Sequence, residues 1–190
     1  MTGKNFTVRY RRIRKQKTDY KTRLKLLLSG TPRLVVRCQT NSIKVQIYEY
    51  TTKGDKLLAA ADSNELKKLG WPFTGGNMPA AYLVGYLAAT KVKKAKIKKV
   101  IVDTGLSLVF KKTKLFAAIK GAIDAGLEVP YSKDVLPSEE RCVGQDIENY
   151  AKLLLKDKDA YQKQYSRYIS RKAKPEEIVS VVKKIKENIK

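Results

Sequence analysis

A short Asp-Thr-Gly motif is the sequence feature that most directly suggests catalysis. Asp103, Thr104 and Gly105 follow the apolar run 100–102, as the catalytic motif of aspartic proteases follows a strand. Two such chains would bring two carboxylates together to share a proton. Those proteases are built from β-strands, whereas helical patterns dominate this sequence. We therefore favour a turn in which Asp103 accepts a backbone hydrogen bond and Gly105 adopts a positive φ.

Scattered carboxylates offer a second route to catalysis, because converging aspartates can bind Mg²⁺ for the hydrolysis of nucleic acid. The candidates are Asp103, Asp124, Asp134 and Asp146, and their spacing matches no known motif. Structural or solvent-facing roles are favoured for all four. A nucleic-acid-processing enzyme that uses Mg-bound carboxylates is the alternative hypothesis to a binding protein.

The absence of histidine excludes several classes of enzyme. None of the 190 residues is a histidine, so Ser-His-Asp and Cys-His catalysis and imidazole zinc sites are ruled out. Cys38 and Cys142 are far apart and form no CxxC motif, so we expect two reduced thiols rather than a disulfide. We expect no cofactor, no metal and no enzymatic activity.

The loop at residues 74–77 (TGGN) could hold an RNA phosphate on free backbone N–H groups, because it precedes a predicted helix. The GxxxxGK[ST] motif of nucleoside triphosphatases is absent. A plain loop in which Asn77 caps the helix is the equally favoured interpretation.

The charge of the chain points to a polyanionic partner. Lysine and arginine total 41 against 18 acidic residues, a formal net charge of +23. Residues 1–30 hold ten basic side chains and one acidic side chain, and residues 9–17 (RYRRIRKQK) are the densest part. Aromatic rings interleave with these arginines, which favours nucleic acid because guanidinium groups bind phosphates and rings stack on unpaired bases. The lysine run at 91–99 is equally compatible with a solvated surface.

Hydrophobic periodicity predicts an α/β (α+β) fold with a mixed sheet that begins with an antiparallel meander. A helix at 18–29 precedes alternating strands at 33–39 and 43–50 and a third strand at 56–61. One face of this meander is apolar. The other is predicted to be a solvated basic and aromatic face that presents Arg33, Arg37, Gln39, Lys44, Gln46, Tyr48 and Tyr50.

The remaining elements are mainly helical. Helices are predicted at 63–70, 80–89 and 113–125, with a buried strand at 98–103. The C-terminal third reads as amphipathic helices that pack on the core of the protein itself. We divide the chain into a basic RNA-binding arm (1–17), a globular domain (18–155) and a C-terminal helical extension (156–190). No apolar run long enough for a membrane span and no signal peptide is visible, so we expect a cytosolic protein.

Several segments together resemble one family. They are residues 11–20 (RRIRKQKTDY), 33–37 (RLVVR), 80–85 (AAYLVG), 103–106 (DTGL), 120–126 (KGAIDAG) and 136–141 (LPSEER). Each is weak alone, but they are collinear over about residues 8–150. The chain resembles the archaeal form of the large-subunit ribosomal protein eighteen family, whose eukaryotic relative is large-subunit protein five.

The resemblance implies a protein of the cytoplasmic ribosome that binds 5S rRNA and helps to attach it to the large-subunit (23S-type) rRNA in the central protuberance. It further implies neighbouring large-subunit ribosomal proteins as partners, no membrane and no catalysis. An alternative is a scaffold whose C-terminal helices hold another protein.

The predicted RNA-binding residues fall into three groups. The resemblance assigns the first group, in the basic N-terminal segment. The second group lies on the predicted solvated face of the meander, and the third lies in the loop at 74–77 and at the start of the helix predicted at 80–89. They are Arg9, Arg11, Arg12, Arg14, Lys15, Lys17, Tyr20, Lys21 and Arg23; then Arg33, Arg37, Lys44 and Gln46; then Gly75, Gly76, Asn77 and Tyr82.

Overall fold

The computed structural model describes residues 7–93, 95 and 97–189. Residues 1–6 of the predicted arm lie outside this range. In chain order the elements are α1 (Arg11–Arg14), α2 (Tyr20–Leu27), β1 (Arg33–Cys38), β2 (Ile43–Thr51), β3 (Gly54–Asp62), α3 (Ser63–Lys68), α4 (Met78–Lys93), β4 (Ile101–Asp103), α5 (Lys114–Asp124), α6 (Glu139–Val143), α7 (Gln145–Leu154), α8 (Lys158–Ile169) and α9 (Ile178–Ile189), with 3₁₀ turns at Lys133–Val135 and Pro175–Glu177.

The sheet has the order β3-β2-β1-β4, in which β1, β2 and β3 form the antiparallel meander and β4 pairs parallel to β1. The predicted mixed sheet with helices packed on it is confirmed. The strand predicted at 98–103 is shorter than expected. Its first half makes one parallel bridge, between Lys99 and Glu128.

The alternation of β1 and β2 separates two faces of the sheet, because successive side chains of a strand point to opposite sides. On the inner face, the predicted apolar residues Leu34, Val36, Ile43, Val45 and Ile47 have no exposed surface. The outer face carries Arg33 opposite Tyr48, Val35 opposite Gln46 and Arg37 opposite Lys44.

Helix α4 covers the inner face and is apolar around most of its circumference, as expected of a helix enclosed on all sides. It packs against β2, β3, α5 and α9. Gly85 and Gly121 let α4 and α5 approach each other closely. A Cβ atom at Gly85 would overlap the carbonyl oxygen of Ala118, and one at Gly121 would overlap that of Tyr82.

Helix α9 is part of the same core, as predicted for the C-terminal helices. Its side chains Ile178, Val182, Ile185 and Ile189 are buried. The predicted boundary at residue 156 falls between α7 and α8, so α9 lies beyond it and yet shares the core of the sheet. Within the described residues, no helix is both long and apolar enough to cross a membrane.

Candidate nucleic-acid interface

Arg33 is the residue whose position differs most from the sequence prediction. It was expected on a solvated face, but only 2% of it is exposed, so that expectation is wrong. One of its terminal nitrogens lies 2.8 Å from Asp103 Oδ2 and the other 2.7 Å from Asp55 Oδ2. Arg33 is surrounded by its own carboxylate partners, so it supports the outer face from within instead of reaching into solvent.

The same carboxylates hold the arginines on either side of Arg33. Arg23 of α2 binds Asp55 at 2.7 Å, which ties the N-terminal helix to the start of β3. Arg37 lies 3.3 Å from Asp103 Oδ1 and donates to the carbonyl oxygens of Val36 and Asp103. Sequence reasoning missed both aspartates as parts of this surface, because their partners become neighbours only when the strands pair.

The hydrogen bonds to Asp55 outweigh its partial burial. Burial alone would raise the pKa of this carboxyl, but the hydrogen bonds from Arg23 and Arg33 and their positive charges hold its pKa below the ordinary value. Asp55 is therefore ionised at neutral pH, and the cations beside it are needed to neutralise it.

The N-terminal segment is anchored through local hydrogen bonds and presents its basic side chains to solvent. Asp19 caps α2 by accepting from the backbone N–H groups of Lys21 and Thr22 and from the Thr22 hydroxyl, and these bonds lower the pKa of Asp19. Arg12 Nε donates to Thr18 at 2.8 Å, and the rings of Tyr10 and Tyr20 lie 5.5 Å apart. The predicted contacts that are exposed here are Arg9, Arg11, Arg12, Arg14, Lys15, Lys17, Tyr20 and Lys21.

A cleft of about 310 Å³ lies between this segment and the outer face of the sheet. We call it the arm–sheet cleft. The arm and α2 contribute one wall, β1 and β2 the floor, and the turn after β4 the rim. Its lining includes Arg12, Lys17, Asp19, Arg23, Leu26, Arg33, Val35, Arg37, Gln46, Tyr48, Asp55, Asp103 and Leu106.

The predicted contacts around α4 are occupied by the protein itself. Asn77 accepts from the backbone N–H of Ala80 at 2.9 Å, as a capping residue does. Gly75 is buried, and a Cβ there would come within 2.6 Å of Ser63 Oγ. A Cβ at Gly76 would overlap the carbonyl oxygen of Thr40. These glycines therefore permit close packing of the loop, and their contact with RNA stays a prediction.

Tyr82 has no surface to offer a ligand. It is 3% exposed, and its hydroxyl donates to Asp124 and accepts from Lys186, each at 2.8 Å. Burial and the hydrogen bond to Asp124 raise the pKa of this tyrosine well above its usual range. The assignment of Tyr82 to the RNA surface was wrong, because α4 is enclosed on the side that carries this ring.

The alternative enzyme hypothesis requires carboxylates grouped closely enough to bind a metal ion. The described residues contain no group of three or more His, Cys, Asp or Glu side chains able to hold a metal ion. The turn interpretation of the Asp-Thr-Gly motif is confirmed, since Asp103 accepts from the Gly105 N–H at 2.8 Å and Gly105 has φ +63°. Cys38 and Cys142 are free thiols, as predicted, and burial raises the pKa of Cys142 to about 11.

Comparison with known proteins identifies the family. Residues 4–100, from the arm through α4, match the family described as "Ribosomal large subunit proteins 60S L5, and 50S L18". The large ribosomal subunit protein uL18 of Methanococcus maripaludis is 44% identical over 184 residues, covering 97% of this chain and 95% of the relative. This chain belongs to that family. The resemblance inferred from the sequence motifs is therefore confirmed.

Two further relatives extend this match over nearly the full chain. The uL18 proteins of Korarchaeum cryptofilum and Thermofilum pendens are each 43% identical, cover 97% and 98% of this chain, and are themselves covered to 94% and 96%. All three relatives carry the names of ribosomal proteins and not of enzymes, which confirms the prediction that the chain is not an enzyme.

Proposed function

We propose that this protein binds 5S rRNA and helps to attach it to the large-subunit rRNA in the central protuberance. Membership of the family makes it a structural protein of the large subunit of the cytoplasmic ribosome, with rRNA and other ribosomal proteins as partners. The main support for binding of 5S rRNA is that the exposed basic arm is continuous with the polar outer face of the sheet.

The predicted contacts differ in exposure, and we assign direct contact with RNA to the exposed side chains and a supporting role to the buried ones. The arm presents guanidinium and ammonium groups, which bind phosphates, and the half-exposed ring of Tyr20, which can stack on a base. On the sheet, Lys44 is exposed beyond its 3.6 Å pair with Asp62, and Gln46 is accessible from the cleft. Arg33 has a supporting role, because its charge is already shared between two carboxylates.

The first prediction concerns salt dependence. Each RNA phosphate contact contributes about −0.7 to −0.9 to the slope of log affinity against log salt concentration. Replacing Arg11 and Arg14 by alanine should therefore make the slope shallower by about 1.4 to 1.8. The measurement is a titration of fluorescent 5S rRNA with protein at several salt concentrations.

The matched control removes the same charge elsewhere. Lys183 and Lys184 are exposed on α9, which packs against α4, the helix that covers the inner face of the sheet. Their replacement by alanine should leave the slope near that of the wild-type protein. An equal change from both pairs, or no preference of the wild-type protein for 5S rRNA over an unrelated RNA, would contradict the proposed function.

A further inference from the structure

The arm–sheet cleft is lined by both basic and apolar side chains. Arg12 and Lys17 come from the arm, and Arg23 comes from α2. The lining also includes two apolar side chains, the partly buried Leu26 of α2 and, on the floor, Val35 of β1, which keeps 7% of its surface exposed. A site for a free phosphate needs only the cations. A site with an apolar floor as well suits a ligand that carries a flat apolar group next to a phosphate.

The acidic side chains of the cleft are already held by hydrogen bonds or ion pairs within the protein. Asp19 accepts hydrogen bonds from the backbone N–H groups of Lys21 and Thr22 and from the Thr22 hydroxyl at the start of α2. Asp55 is shared by Arg23 and Arg33, and Asp103 by Arg33 and Arg37. Five basic side chains line the cleft against these three carboxylates, so an excess of positive charge is left for an anion.

The floor of the cleft carries an aromatic ring that can stack on a base and a side-chain amide that can form hydrogen bonds with the edge of a base. Tyr48 lies opposite Arg33 in the antiparallel register, and Gln46 lies opposite Val35, so the ring, the amide and the valine are neighbours on one face. The amide of Gln46 makes no hydrogen bond to any residue that the structure describes, and an amide can donate to and accept from the edge of a base. Tyrosine rings stack on unpaired bases of any sequence.

The size of the cleft limits the ligand. Sites for small molecules start at about 300 Å³, and the cleft of about 310 Å³ lies at this lower limit. It is too small for a double helix, whose bases are also stacked and covered on both faces. One nucleotide turned out of an RNA strand meets all three requirements, namely a phosphate, a flat base and a small volume.

We propose that the arm–sheet cleft binds a single unpaired nucleotide of the RNA. The base lies against Tyr48 and Val35, the amide of Gln46 contacts its edge, and Arg12 and Lys17 hold its phosphate. This proposal rests on the proposed function and adds that recognition depends on an unstacked base as well as on the backbone.

The test compares Tyr48→Ala with Tyr50→Ala. Tyr50 is the next outer-face residue of β2, is 55% exposed and lies outside the cleft lining, so it serves as a matched control. Affinities are measured for 5S rRNA and for a fully paired RNA duplex of equal length. Tyr48→Ala should weaken binding of 5S rRNA about tenfold, as expected for one lost stacking contact, and leave duplex binding unchanged. Tyr50→Ala should change neither.

Other results distinguish a failure of the proposed nucleotide site from a failure of the proposed function. If Tyr48→Ala leaves 5S binding unchanged, or weakens 5S and duplex binding equally, the nucleotide site is wrong while the proposed function stands. If the wild-type protein does not prefer 5S rRNA, the proposed function itself fails. Thermal unfolding of both variants identifies a loss of fold. Should Tyr48→Ala fail to fold, Gln46→Ala takes its place with the same expected selectivity between the two RNAs and the same contradicting outcomes.

Discussion

At the scale of single residues, Arg33 shows how a side chain can be essential to a binding surface without reaching its ligand. It joins Asp55 at the start of β3 to Asp103 at the end of β4, and Asp55 in turn holds Arg23 of α2. Its Nε atom is the one buried side-chain nitrogen or oxygen in the described residues that lacks a hydrogen-bond partner. Three elements that border the arm–sheet cleft therefore depend on one guanidinium group.

Replacing Arg33 by methionine should lower the free energy of unfolding by about 3 kcal/mol, because two carboxylates then lose a buried partner. Arg37→Met is the control. Its side chain is 41% exposed and reaches Asp103 at 3.3 Å, so its ion pair should contribute less than about 1 kcal/mol. Urea unfolding of both variants at neutral pH measures the difference, and equal losses would show that Arg33 is not the central residue of this network.

At the scale of elements, the contact between α4 and α5 is built on two glycines. Glycine usually weakens a helix, by up to about 1 kcal/mol relative to alanine. Here the absence of a side chain lets the backbones touch, since Cβ atoms at Gly85 and Gly121 would overlap carbonyl oxygens of the partner helix. The position of α5, and with it the connection from β4, depends on this close approach.

Gly85→Ala should therefore destabilise the protein by about 1 to 3 kcal/mol, as overpacking does in well-filled cores, despite the better helix propensity of alanine. Gly30→Ala is a suitable comparison. No atom lies within 4 Å of a Cβ at that position, and its φ of +65° should cost alanine about 1 kcal/mol. Chemical unfolding should rank Gly85→Ala as the more damaging change, and the reverse order would mean that the two helices can move apart at little cost.

At the scale of the whole molecule, α9 closes the core that begins with the meander. Ile178, Val182 and Ile185 are buried in the same hydrophobic cluster as the inner face of the sheet. Lys186 donates to the Tyr82 hydroxyl and lies over the rings of Tyr82 and Tyr86, 5.3 and 5.4 Å from their centroids. Helix α9 is therefore part of the core of the protein itself, whether or not the C-terminal helices also hold another protein.

Ile185→Ala should lower the free energy of unfolding by about 2 to 5 kcal/mol, the usual range for truncating a buried isoleucine. Glu187→Ala lies two residues further on the exposed side of the same helix and should change stability by less than about 0.5 kcal/mol. Thermal or urea unfolding of the full-length chain decides between them. If Ile185→Ala behaved like Glu187→Ala, α9 would not be part of the cooperative core.

The amino-acid sequence by itself determined the family, the order of most elements and the apolar face of the meander. Alternation along β1 and β2 and the 3.6-residue period of the helices are local patterns, so they can be recognised without knowing the partners. The basic arm was recognised in the same way, because charge density is a property of neighbouring residues. The boundaries of β4 and of the helix at 80–89 were predicted less accurately, since their ends depend on pairing and packing.

Only the tertiary structure decided which predicted contacts are accessible. Arg33 was assigned to a solvated face because its position alternates with buried neighbours, yet Asp103, seventy residues away, covers its charge. Tyr82 was assigned to the surface near a loop, yet Asp124 and Lys186 enclose its hydroxyl. The physical reason is the same in both cases. A polar side chain is buried when distant residues supply its hydrogen bonds and opposite charge, and those partners become neighbours only when the chain has folded.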